Sequence, residues 1–186
     1  MFDEQPQPQV GGGAPTPALA HVVTFTRWLA SLPAAVTEEE CIDRVRMLED
    51  VKSVCAAAQA RETVAFDRLR RDAEAGRGLP GGQRGRGVAS EVALARRVSP
   101  AQGSRHLGLA RALVTELPHT MAALTEGKLT EWRATIITRE TGWLPVEGRR
   151  HVDETLAPVL AQLGDKPAGW HRHGIPRSRS GTSPGP

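Results

Sequence analysis

Apolar residues recur at spacings of three and four along most of this chain, and capping or turn residues fall in almost every joint between the runs. The longest run follows Thr37. Ile42, Val45, Leu48, Val51, Cys55, Ala58, Ala65 and Leu69 make one stripe, which predicts a single helix reaching about Ala75. Thr37 with Glu40 three residues later is a capping-box pattern for its start. A helix this long suits either a spine inside the fold or a coil that pairs with a second copy of the chain through residues 37–75. Its seam carries Ala and charged positions, which breaks a strict heptad and favours the spine.

Upstream, Leu19, Val22, Val23, Trp28 and Leu29 predict a short helix or docking segment ended by Pro33. Downstream, GRGLPGGQRGRG (76–87) breaks the pattern and reads as a loop or linker. Five shorter helices should follow. Ser90 is read as the cap of one ending near Val98, and Ser99-Pro100 as the N-cap and first position of the next, with Leu107, Ala110, Leu113 and Val114 on one face. Pro118 opens another that stops at Gly127. Thr130 caps a helix expected to turn Trp132, Ile136 and Ile137 inward, and Pro145 begins the last, with Val152, Leu156 and Leu160. No segment reads as a strand. The expected fold class is therefore all-α: a multi-helix bundle with one long N-terminal helix and a helix-turn-helix-like cluster of short ones. The helical domain spans 18–165 with an internal Gly/Arg-rich loop at 76–89, between ends at 1–17 and 166–186 expected to be disordered.

Composition adjusts this picture in two places. The 186 residues suit one domain with tails, and the 19 Gly and 14 Pro crowd into the ends and the 76–87 stretch. The formal net charge of +3 is uneven. All 21 acids precede Lys166, whereas Lys166, Arg172, Arg177 and Arg179 make the last segment basic. Between Gly76 and Arg111 seven Arg face a single acid, Glu91, and a stretch of that kind can meet phosphate. Cys41 and Cys55 lie on one helix at about 21 Å of rise, too far apart to bridge each other; buried free thiols in a reducing cytoplasm are expected. The N-terminus has no apolar signal core and no run is long enough to span a membrane, so no membrane partner is expected.

Chemistry-bearing motifs are sparse. Residues 90–116 have the form of a helix-turn-helix, in which Gln102, Ser104, Arg105 and His106 begin the second helix and are types that reach base edges or phosphates. Arg96 and Arg97 at the end of the first helix can clamp a phosphate backbone. Arg96, Arg97, Gln102 and Arg105 are thus the candidate contacts to double-stranded DNA, although two short helices joined by Ser-Pro also occur in bundles that bind nothing. His119 reads as a cap or surface group, and His151 and Asp153 do not share a helix face, so no catalytic dyad is expected. Glu38-Glu39-Glu40 complements the helix dipole rather than holding a metal. Trp132 and Trp143 read as core or interface anchors. Trp170-His171-Arg172-His173 makes a poor metal site, and GLPGGQRGRG lacks the strand and lysine of a phosphate loop. Neither a catalytic residue nor a cofactor, metal or small-molecule site is expected.

At LPHTMAALTEGKLTEWRATIITRETGWL, together with EVALARRVSP and HLGLARAL before it, the chain resembles the domain of unknown function 222, also called the 13E12 repeat family. The likeness covers roughly residues 20–163, most specifically 88–153. It brings no catalytic residues. What it implies is context: such modules commonly precede an HNH endonuclease domain, whose histidine motif is not found in this sequence. The change of character at Lys166 suggests a frameshift or truncation near Asp165, or else an ordinary basic tail. The functional expectation is a helical module of HNH-associated type that binds DNA; the alternative is a non-catalytic oligomerisation or protein-interaction domain.

Overall fold

The computed structural model describes residues 16–163, in which seven α-helices and one short 3₁₀ turn occur and no strand does. The expected disordered ends lie outside the described residues, apart from Thr16 and Pro17. The chain divides into two compact units, residues 1–40 and 41–186.

The first unit holds α1 (Pro17–Ala30), capped by Thr16, whose Oγ1 accepts from the Leu19 amide at 3.4 Å. None of its residues is buried, and Phe25 and Trp28 stack on each other with ring centroids 6.1 Å apart. At the end of the unit the Glu40 amide donates to Thr37 Oγ1 at 3.1 Å, while the Glu40 carboxylate accepts from Val36 N at 2.9 Å. The capping box read from the sequence therefore forms, its carboxylate reaching one residue further upstream than the cap itself.

The helix begun there, α2 (Glu38–Gly76), is 39 residues long. After it come the 3₁₀ turn at Gly81–Gln83, α3 (Val88–Ala95), α4 (Pro100–Thr115), α5 (Pro118–Thr125), α6 (Glu131–Thr141) and α7 (Val146–Gln162). Two boundaries differ from expectation: α3 starts behind Gly87 rather than at a Ser90 cap, and it ends at Ala95 rather than Val98. Ser99 and Thr130 cap as expected, accepting from the Gln102 and Arg133 amides. Gly127, at φ +76°, closes α5, where the Lys128 amide reaches back to Ala123 O at 2.9 Å.

The main core gathers one face of each of five helices: Ala56, Ala57, Ala60 and Val64 of α2, Ala110 and Leu113 of α4, Ala123 and Leu124 of α5, Ala134 of α6 and Leu160 of α7, with Leu129. Val88, Val92 and Leu107 form a second cluster with Phe66. So many alanines let helix axes approach closely. The α3–α4 crossing is the extreme case, because a Cβ at Gly103 would stand 2.4 Å from the Ala89 carbonyl oxygen and 2.5 Å from Ala93 Cβ. Only glycine fits there.

Buried carboxylates fasten the helices. Asp67 of α2, 6% exposed, accepts from Arg71 at 2.8 Å and from two nitrogens of Arg111 on α4 at 3.0 and 2.7 Å. Glu74 accepts from Gly85 N at 2.6 Å, which folds the 76–87 stretch back onto its own helix as an anchored loop. Asp153 of α7 accepts the His119 and Thr120 amides at 2.7 and 3.0 Å, together with the Thr120 hydroxyl. It caps α5, whose own N-cap residue, Leu117, has no side chain able to do so.

Candidate interaction surfaces

α2 buries Ser53, Ala56, Ala57, Ala60, Thr63, Val64, Asp67 and Glu74 against the bundle. The stripe expected to face inward is exposed, and from Leu48 onward it lies on the other side. Ile42 is 61% exposed, Val45 65%, Leu48 39% and Leu69 70%, and Cys41 and Cys55 are exposed rather than buried. At 100° per residue Val51, Cys55, Ala58, Ala65 and Leu69 stand opposite the buried set and Leu48 at the edge of that side, whereas Ile42 and Val45 share the side of the buried set but precede its first residue, Ser53. The stripe exists, but much of it meets solvent rather than the bundle. The inner stripe has the same period but is built of Ala, Ser and Thr, which hydropathy weighs lightly.

Leu48, Val51, Cys55, Ala58, Glu62, Ala65 and Leu69 follow one another at alternating spacings of three and four, a heptad seam. It is apolar except at Glu62. Met47 and Val54, 59% and 41% exposed, widen it. Exposed apolar surface extended along one element in this way goes beyond the scattered apolar residues of ordinary surfaces.

The helix-turn-helix-like segment forms as α3, a short turn and α4, but its four candidate contacts have different surroundings. Arg96 donates to Glu131 of α6 at 2.9 Å, and its side chain is only 19% exposed. The carboxamide oxygen of Gln102 accepts from Ser99 N and Ser99 Oγ, each at 3.2 Å, completing the capping box of α4. These two side chains are engaged in holding the fold. Arg97 and Arg105 are exposed and carry no side-chain ion pair among the described residues. Arg97 has φ +56°, the left-handed conformation, at the turn that ends α3. Of the other sequence-picked residues, Ser104 bonds back to Pro100 O at 3.3 Å. His106 is half-buried beside Arg96 and Glu131, 3.7 Å from the latter. Burial, and after it the Arg96 charge, hold the His106 imidazole below its ordinary pKa against the opposing pull of Glu131.

Elsewhere in the basic stretch Arg84 donates to Leu79 O at 2.7 Å and Arg111 is fixed on Asp67, so its charge is partly internal. Trp132, expected to point inward, is 66% exposed, and Trp143 is 81% exposed. His119 contributes its backbone amide to the Asp153 cap. Among the described residues no group of three or more His, Cys, Asp or Glu could hold a metal ion, and no helix is long and apolar enough to cross a membrane.

These features define a class: an all-α domain whose long helix is apolar on both faces and covered on one. The chain belongs to the family described as domain of unknown function (DUF222), whose model matches residues 46–168. No curated protein and no solved structure matches it.

Proposed function

We propose that this domain is an assembly module that joins another helix through the outer face of α2. One observation carries the reading: α2 is apolar on two opposite faces, and the bundle covers only the one made of small residues. An apolar stripe that the fold leaves in water costs solubility and gains no internal stability, whereas against a second helix each large side chain contributes roughly 1.5–3 kcal/mol on burial. The test is mass by light scattering over a concentration series, with expected mass rising toward twice that of the monomer. Leu48→Asp and Leu69→Asp should keep the mass at one chain while the helical circular-dichroism signal is retained, because neither side chain is part of the buried core. A mass of one chain at every concentration would end this reading.

A second reading, duplex DNA binding, draws support from Arg97. A non-glycine residue held left-handed costs about 1 kcal/mol where glycine would cost nothing, and such strain tends to persist at functional positions. On this reading Arg97 and Arg105 meet phosphate, and Arg96 and Gln102, first candidates with them, act by shaping the turn. The HNH nuclease context implied by the family resemblance fits this reading. Affinity should fall steeply with salt, and Arg97→Ala and Arg105→Ala should each reduce the salt slope by about one. Binding unchanged by both substitutions would remove it.

A further inference from the structure

Resting on the assembly reading, we infer that the occupant of the outer α2 face is a second copy of α2, packed antiparallel about a two-fold axis between residues 56 and 57. Charge argues the direction. The start of α2 carries Glu38, Glu39, Glu40, Asp43, Glu49 and Asp50 against Arg44 and Arg46, whereas the region from Arg61 to Arg77 has a slight basic excess. Parallel pairing would stack the acidic starts on each other. Antiparallel pairing keeps the acidic starts apart, avoids setting Glu62 on Glu62 within the seam, and opposes the two helix dipoles.

Side-chain size argues the register. With the axis between 56 and 57, close to the midpoint of a helix spanning Glu38–Gly76, the seam forms layers of Leu48 on Ala65, Val51 on Glu62 and Cys55 on Ala58, each repeated by symmetry. Leu48 thus meets the small Ala65, and no layer sets leucine on leucine. A parallel pair would set Leu48 on Leu48 and Ala65 on Ala65, crowding one layer and leaving a gap in another. In the antiparallel register the Glu62 carboxylate also comes within reach of the second copy's Lys52, one residue from the Val51 it covers. The helix rises about 58 Å over its 39 residues, long enough for a paired seam of several heptads.

The two native cysteines, both exposed, read the direction without further labels. In the antiparallel pair the two copies of Cys55 are about 4.5 Å apart along the axis, whereas the two copies of Cys41 are about 46 Å apart. A parallel pair brings both like pairs together. The full chain would be treated with a short bismaleimide as two variants, Cys41→Ser and Cys55→Ser, after light scattering has fixed the mass of each. The expected result is a covalent dimer from Cys41→Ser and none from Cys55→Ser. Val51→Asp in the Cys41→Ser background should weaken dimerisation at least about tenfold, reducing the cross-linked yield at low concentration. Efficient linkage of Cys55→Ser would overturn the antiparallel arrangement and leave the assembly reading standing. A mass of one chain throughout would overturn both. So would a dimer that neither variant links, since its contact would lie away from α2.

Discussion

Arg97 stands where a helix normally ends on glycine, and its backbone makes the bonds a glycine would make: Arg97 N to Leu94 O at 3.1 Å and Val98 N to Ala93 O at 2.9 Å. The substitution Arg97→Gly should therefore raise stability by about 1 kcal/mol in a urea or thermal melt. If Arg97 meets DNA, the same change lowers affinity, so stability and binding move in opposite directions. His106 gives a second residue-scale expectation. Its folded pKa lies below the ordinary value because burial and Arg96 disfavour the imidazolium. The unfolded chain then binds the proton more readily. Stability is complete above the unfolded pKa of about 6.5 and declines as pH falls through it toward the lower folded value. Urea midpoints of the wild type should drop more between pH 8 and pH 5 than those of His106→Gln. Equal drops would show that His106 does not carry the effect.

At the scale of elements, the helices owe their ends to local chemistry and their relations to buried polar contacts. Thr37, Ser99 and Thr130 cap helices from within their own segments, and each was readable because the capping side chain and the amide it serves are three residues apart. The start of α5 is different. Its cap comes from Asp153, 33 residues away from Thr120, and a sequence window around Leu117 contains no hint of it. Asp153→Ala should remove the acceptor from the buried Thr120 amide and hydroxyl and from the part-buried His119 amide, costing about 3 kcal/mol of stability in a denaturant titration. Asp153→Asn should recover part of this, since one amide oxygen still accepts. A near-neutral Asp153→Ala would show that water replaces the cap. The α3–α4 hairpin depends likewise on a contact between segments, the Gly103 crossing, which the local pattern of α4 does not announce.

For the whole molecule, the long helix decides what kind of object this is. A bundle covers one side of α2 and holds it there through Asp67, Arg111 and the Glu74-anchored loop. The other side keeps Leu48 and Leu69 exposed, so α2 presents an apolar edge to its surroundings. The two proposed functions occupy different surfaces, the outer face of α2 and the turn between α3 and α4. Substitutions at Leu48 and at Arg97 therefore separate them cleanly.

What the sequence determined by itself is the set of elements: the helices, the caps at Thr37, Ser99 and Thr130, the absence of strand patterning and the family likeness, because capping and 3.6-residue periodicity are local properties of neighbouring residues. It also contained the stripe on α2. Which way that stripe faces was decided only in the tertiary structure. Periodicity reports that apolar residues share a side and says nothing of what covers it. Here the small-residue side, Ala56 to Val64, shares the main core with residues of α4, α5 and α6, and the larger side chains of the stripe stay outside it. The same holds for the basic residues. Arg96 and Arg97 are adjacent and chemically identical in the sequence, yet the fold sets a carboxylate from α6 beside the first and, among the described residues, no ion-pair partner beside the second.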